Sequence, residues 1–241
     1  MIKPVGPSRQ SESGGRKTIY SRRHGKPLRP GRRRLLEQRL PGLLLHPDRP
    51  GFDPVAAFAR PIRALWLEIG FGGGEHLAWQ ADQNPDVGLI GAEPFVNGVA
   101  SLLGLIDRQG FDNIRIYQDD AADLIDALPE ASVARCFLLF PDPWPKRRHH
   151  KRRFVRPENL DRLARILTDG AEFRAATDHM EYGRWILRHL LAHPAFDWPA
   201  EAASDWRSRP ADWPQTRYEA KAVRDGRSSL YFSFRRRNRA Q

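Results

Sequence analysis

Most of the chain's chemical capacity lies in acids placed at the ends of short apolar runs. Glu68 sits in Leu65–Ile69, Glu93 ends Gly88–Glu93, and Asp119 and Asp120 follow Ile114–Tyr117. Asp142 follows Val133–Phe140, and Asp178 follows Glu172–Thr177. An ionised carboxylate accepts hydrogen bonds from hydroxyls and amines and favours nearby positive charge. Asp142 is held between Pro141 and Pro143, and with Pro145 these forbid ladder pairing and helix, so a stiff extended loop must follow. Trp144 places a flat apolar surface beside the acid, and the basic run Lys146–Arg153 comes next. The natural partner of such a run is a phosphate chain. A carboxylate, an aromatic plate and a cationic track together point to chemistry on a nucleic-acid base. Taken alone, the basic run reads equally as a solvated charged loop.

The first run leads into a glycine turn, Gly70–Gly74. Such a turn lets backbone approach a nucleotide and aims a helix start at it. The dinucleotide fingerprint needs a third Gly or Ala three residues past the second. Glu75 or Leu77 stands there, according to the register chosen. The pattern present, with Glu68 before Gly70 and Gly72, suits a cationic ligand without phosphate. S-adenosyl-L-methionine, with its ammonium and sulfonium, is such a ligand. Glu93 then suits both ribose hydroxyls, and Asp120 or its neighbour Asp119 suits the adenine amine.

These acids must be positioned by strands that end along one edge. Val133–Phe140 lacks polar alternation and reads as a strand buried on both faces. Leu65–Ile69, Gly88–Glu93, Ile114–Tyr117 and Glu172–Thr177 are the other strands of the series. Glu75–Asn84, Val96–Gln109, Ala121–Leu128, Pro157–Leu167 and Tyr182–Ala192 predict the intervening helices. In the second of these, Val99, Leu102, Leu103 and Ile106 share a face and Gly110 ends the pattern. Pro194–Pro214, with Trp198, Trp206 and Trp213, reads as irregular. Arg217–Val223, a turn at Asp225-Gly226 and Leu230–Phe234 predict a closing β-hairpin. This alternation predicts a mainly parallel sheet covered on both faces, with an antiparallel edge. Ligands of such sheets bind at the carboxyl ends of the strands.

The formal net charge is +11, and its distribution is uneven. Of 40 Lys and Arg, twelve fall within Met1–Pro41 with only two of the 29 acids, so the remaining 28 and 27 nearly cancel. Residues 1–41 read as a flexible basic arm, serving either to dock on nucleic acid or to solubilise, and 42–241 as one domain. The single cysteine, Cys136, lies in a buried strand, which excludes an internal disulfide and a thiolate metal site; no metal is expected. No stretch approaches the roughly 20 apolar residues of a membrane span, and the start lacks a secretory apolar region. A cytoplasmic protein, monomeric or homodimeric, is expected.

Five segments together resemble the bacterial tRNA (guanine-N7-)-methyltransferases: Leu67–Gly74, Gly91–Glu93, Phe140–Trp144 with Lys146 and Lys151–Arg153, Ala176–Asp178, and Thr216–Glu219. The similarity runs from Leu65 to Arg235. It is most specific in Pro-Asp-Pro-Trp followed by basic residues, whereas the glycine turn is generic. The resemblance implies an α/β fold, the Rossmann-like seven-stranded class I methyltransferase sheet. It is mainly parallel, with an antiparallel C-terminal hairpin and helices on both faces. The implied reaction moves a methyl group from S-adenosyl-L-methionine to N7 of guanine-46 in the variable loop of tRNA. The implied cofactor residues are Glu68, Gly70, Gly72, Glu93, Asp120 and Asp142, with Asp142 also catalytic. Lys146, Asp178, Thr216, Arg217, Tyr218 and Glu219 would bind substrate. Arg148, His149, His150, Lys151, Arg152 and Arg153 would contact RNA. The Arg-rich leader before Pro41 and the Arg217-Tyr218 pair, where relatives often carry Lys-Phe or Arg-Phe, depart from the family pattern. Two alternatives stand beside this reading: a methyltransferase of another substrate, and a non-catalytic RNA-binding protein on the same scaffold.

Overall fold

The computed structural model describes residues 23–239. In chain order these form α1 (Pro30–Gln38), β1 (Ala64–Ile69), α2 (Glu75–Gln83), β2 (Val87–Ala92) and α3 (Val96–Gln109). Then come β3 (Ile114–Tyr117), α4 (Ala121–Ala127), β4 (Val133–Leu139), α5 (Pro157–Ile166) and β5 (Leu167–Thr177). The chain closes with α6 (Met180–Ala192), β6 (Phe196–Asp197), α7 (Ser204–Arg207), α8 (Arg217–Arg224) and β7 (Leu230–Arg236). Short 3₁₀ turns occupy Leu40–Gly42 and Arg147–Arg152.

The seven strands form one sheet in the order β3-β2-β1-β4-β5-β7-β6. β1 to β5 pair in parallel, and β7 runs antiparallel between β5 and β6. Successive strands move from β1 out to β3, and the chain then returns to the other side of β1 as β4. Connections therefore leave β1 and β4 in opposite directions, and a crevice opens beyond their carboxyl ends. Alternate side chains of β1 feed two cores. Leu65, Leu67 and Ile69 join Leu160, Leu163 and Ile186 on one face, and Trp66 joins Leu77, Leu102 and Ile106 on the other. α3 presents Val99, Leu102, Leu103 and Ile106 to the sheet and ends at Gly110, whose φ of +73° suits a left-handed cap.

Three expectations need correction. Residues Arg217–Val223 are not a strand but part of α8. Thr216 caps that helix, its Oγ1 accepting the Glu219 N–H at 3.1 Å, and Thr-x-x-Glu is a helix-start spacing. The antiparallel partners of β7 are β5 and the two-residue β6, which lies inside the stretch read as irregular. The arm also differs from a flexible leader. Its residues 1–22 lie outside the described residues, but Pro30–Gln38 forms α1, with Leu35 and Leu36 packed against the core and Leu40 buried. Beyond it, Leu43 and Leu45 exchange backbone hydrogen bonds with Ile116 and extend the sheet edge at β3. The basic run, read as a charged loop, contains a 3₁₀ turn over Arg147–Arg152. Among the described residues no helix is long and apolar enough to cross a membrane.

The crevice depends on close backbone contact between the glycine turn and α3. A Cβ at Gly98 would lie 2.2 Å from the Gly72 carbonyl oxygen. Gly98→Ala is expected to push α3 off the turn and lower stability by about 1–3 kcal/mol, read as a shifted urea midpoint. An unchanged midpoint would show that the two segments do not need this approach.

Candidate active site

The glycine turn is built from left-handed residues: Gly70, Gly72 and Gly74 have φ of +70°, +56° and +81°. A side chain is strained in that region. Glu93, one residue past β2, holds the turn. Its Oε2 accepts the Gly72 N–H at 2.8 Å and its Oε1 accepts the Phe95 N–H at 2.9 Å. Burial, the largest influence, raises its pKa against those two donors, and the Asp142 and Glu68 charges add to the rise. Glu68 is buried near the end of β1, its Oε2 2.8 Å from Nδ1 of the equally buried His76. Gln80 continues this chain, with Nε2 3.2 Å from His76 Nε2 and donating to the Asp212 carbonyl at 3.1 Å.

Asp142 stands at the crevice mouth, exposed over part of its surface, and desolvation by the surrounding walls raises its pKa. Phe140 and Trp144 bracket it with φ of +50° and +42°, a conformation non-glycine residues hold only when their surroundings force it. Glu68, Glu93 and Asp142 thus converge as acids, and the charges of Glu68 and Asp142 both raise the proton affinity of Glu93. Such a group favours a cationic ligand. Asp120 caps α4, its Oδ1 accepting the Ala122 N–H at 3.0 Å, whereas Asp119 pairs with Arg23 at 2.8 Å. Of the two neighbours, Asp119 is the one already neutralised.

α8 lies across the glycine turn. The Tyr218 ring would be 3.2 Å from a Cβ on Gly72, and Arg217 pairs with Glu75 at the start of α2. Burial raises the Tyr218 pKa, with Glu93 the next influence and Asp142 also contributing, so the phenol shares the crevice with both acids. Other expected substrate residues are engaged within the protein. Asp178 pairs with Arg227, and buried Glu219 accepts the Tyr231 hydroxyl at 2.6 Å and pairs with Arg209 at 3.1 Å. Thr216 serves as the α8 cap.

The basic run divides by orientation. Lys146, Arg147, Arg148 and Lys151 are exposed. Arg152 lies over the Trp144 ring at 4.9 Å, and His149 meets the same ring edge-on at 5.9 Å. Desolvation and then the neighbouring cations lower the His149 pKa. His150 packs its ring against Trp185 at 5.2 Å. Arg153 is a correction to the expected RNA contacts: it is 1% exposed and turned into the protein, away from any phosphate. Sequence reading also missed His76. Its signal was two polar residues four apart, His76 and Gln80, on the otherwise apolar inner face of α2. Among the described residues no group of three or more His, Cys, Asp or Glu could hold a metal ion.

Removing Glu93 should first be felt in the scaffold. Glu93→Ala strands the Gly72 and Phe95 N–H groups, and a loss of about 1–3 kcal/mol is expected. Urea denaturation measures it, and parent-like stability would show that water replaces the carboxylate without cost.

Comparison with known proteins agrees with this geometry. A family model described as "Putative methyltransferase" matches residues 63–231. The tRNA (guanine-N(7)-)-methyltransferase of Rhodospirillum rubrum is 55% identical over 226 residues, covering 92% of this chain and 89% of the relative. The enzyme of the same name from Rhizobium meliloti is 53% identical over 219 residues, covering 90% of this chain and 94% of that one. Among solved structures, the 16S rRNA methyltransferase KamB superposes with a TM-score of 0.51 at 14% identity, covering 73% of this chain and 89% of that chain. The [4+2]-cyclase SpnF reaches 0.50 at 12% identity, with 77% and 79% covered. A cyclase on the same scaffold means that the fold alone does not decide the reaction. The sequence relatives do decide the family: this chain belongs to the tRNA (guanine-N7-)-methyltransferases.

Proposed function

We propose that this chain methylates N7 of guanine-46 in the variable loop of tRNA, with S-adenosyl-L-methionine as methyl donor. The observation that carries the reading is the convergence of Glu68, Glu93 and Asp142 behind a glycine turn, beside an exposed cationic track. The donor set fits the cofactor. Glu93 has committed one lone pair of each oxygen to backbone N–H groups, and a carboxylate offers about four such sites. The remainder suits the ribose hydroxyls. Glu68 and Asp142 suit the ammonium and sulfonium, and the free oxygen of Asp120 suits the adenine amine. When bound, the cofactor supplies a methyl group on a positively charged sulfur.

Guanine N7 carries an in-plane lone pair and no proton, so no protein base is required. The chain's task is to hold N7 in line with the methyl group, and positioning of this kind lowers a barrier by about 7–11 kcal/mol. Positive charge passes from the sulfur to the purine as the bond forms. A fixed carboxylate at Asp142 favours that charge. Tyr218, beside the glycine turn, offers a ring face to the base. Lys146, Arg148 and Lys151 face outward for phosphate. Arg32, Arg33 and Arg34 of α1 form a second exposed cationic surface beside α3, with no acidic ion-pair partner among the described residues.

Incubation of tRNA with the protein and methyl-labelled cofactor, followed by nucleoside analysis, tests the function. Label in 7-methylguanosine is expected, and label in any other nucleoside overturns it. Asp142→Asn should leave tRNA affinity intact and lower kcat by roughly 10²–10³, measured in single turnover. Because desolvation raises the Asp142 pKa, the parent's rate should fall as pH drops through that raised value and stay flat above it. A rate that instead rises through neutrality would indicate a protein base. Replacing Arg32, Arg33 and Arg34 by Gln, or Arg147, Arg148 and Lys151 by Gln, should each weaken tRNA binding. The salt dependence should flatten by about 0.7–0.9 in slope for every phosphate left without its cation. A parent-like slope in either variant would remove that surface from the RNA footprint.

A further inference from the structure

Arg153 ends the basic run, and by type it reads as one more phosphate ligand. Its surroundings give it other work. The guanidinium Nε donates to the Pro143 carbonyl at 2.9 Å, and Nη2 lies 3.4 Å from the Trp144 carbonyl. Both acceptors belong to the loop that carries Asp142. On its other side the same group forms a two-pronged pair with Glu181 of α6, one prong at 3.0 Å, and stacks over the Tyr182 and Trp185 rings at 5.0 and 4.7 Å. Its own N–H donates to the His150 carbonyl at 3.0 Å and closes the 3₁₀ turn. Prolines deprive the loop of backbone donors, and Phe140 and Trp144 hold left-handed backbone. The loop therefore needs outside partners to fix its shape, and a planar, five-donor guanidinium can span two carbonyls and a carboxylate at once.

We infer that Arg153 is a positioning residue: anchored to Glu181, it clamps the Pro141–Pro145 loop and so aims Asp142 at the reacting base. The inference rests on the role given to Asp142 above. It separates the exposed Lys146, Arg147, Arg148 and Lys151, which face RNA, from one fully buried residue that holds the catalytic loop.

The test is a double-mutant cycle with single-turnover rates and tRNA affinity measured as a function of salt. Arg153→Lys keeps the charge but cannot span the same acceptors. It should lower the rate by about 10²-fold, the cost of a misplacement of about 1 Å, with tRNA affinity and salt slope unchanged. Should that variant fail to fold, Glu181→Gln carries the test, because the Glu181 side chain is 48% exposed and the swap preserves shape. It should lower the rate about tenfold in the parent and have almost no effect in an Asp142→Asn background, since the clamp acts through that carboxylate. Weakened tRNA binding with a flattened salt slope and an intact rate would make Arg153 a phosphate ligand and overturn the inference. Multiplying rate reductions in the double variant would also overturn it, by showing that the clamp acts elsewhere. A parent-like rate for Asp142→Asn alone marks a different failure, that of the role assigned to Asp142, and the inference falls with it.

Discussion

One buried carboxylate joins the parts of the crevice. Glu93 accepts an N–H from Gly72 on one oxygen and from Phe95 on the other, tying the loop after β1 to the start of α3. The close approach of Gly98 to the Gly72 carbonyl locks the same two segments from the backbone side. Without this tie a turn of left-handed glycines would have many conformations to lose on binding. With it, Glu68, Glu93 and Tyr218 keep fixed places around one volume. The two N–H donors also oppose the rise in proton affinity that burial and the neighbouring acids impose on this group.

Charge is sorted by depth. The molecule carries a net +11, yet its crevice is acidic. Exposed cations are screened beyond about 8 Å at physiological salt, whereas buried pairs are screened much less. The outer arginines and lysines can therefore gather a polyanion without neutralising the acids within. Two cations that enter the interior are matched by acids, Arg153 by Glu181 and Arg174 by Glu172 and Asp212, whereas buried Arg115 donates to the backbone carbonyls of Ala57, Asp112 and Ile114. Arg227 covers Asp178, and Arg209 meets Glu219. These pairs hold the C-terminal elements around the crevice, and substrate would have to exchange with Arg227 to use Asp178.

How much of this was legible in the sequence depends on the range of the interactions involved. Strands β1 to β4 and helix α3 announce themselves through local apolar periodicity and glycine or proline punctuation, and they lie within a residue or two of where that pattern put them. The acids at the strand ends followed directly. α8 was misread because Tyr218, Ala220 and Ala222 imitate strand alternation, although Thr216-x-x-Glu219 signalled a helix start. α1 was hidden by its composition: it buries no residue fully and is held by Leu35 and Leu36 against the core that includes α3. Arg153 was unreadable in principle. Its partners Glu181, Tyr182 and Trp185 lie about 30 residues away, and nothing local separates an inward arginine from the outward ones beside it.

On the proposed function, a lone pair on guanine N7 attacks a methyl group held by this crevice, with no protein base involved. A tRNA transcript carrying 7-deazaguanine at the proposed position 46 keeps the base-pairing edge and removes only that nitrogen. Binding should match the unmodified transcript while methyl incorporation falls to background. Incorporation at the parent rate would place the reacting atom elsewhere.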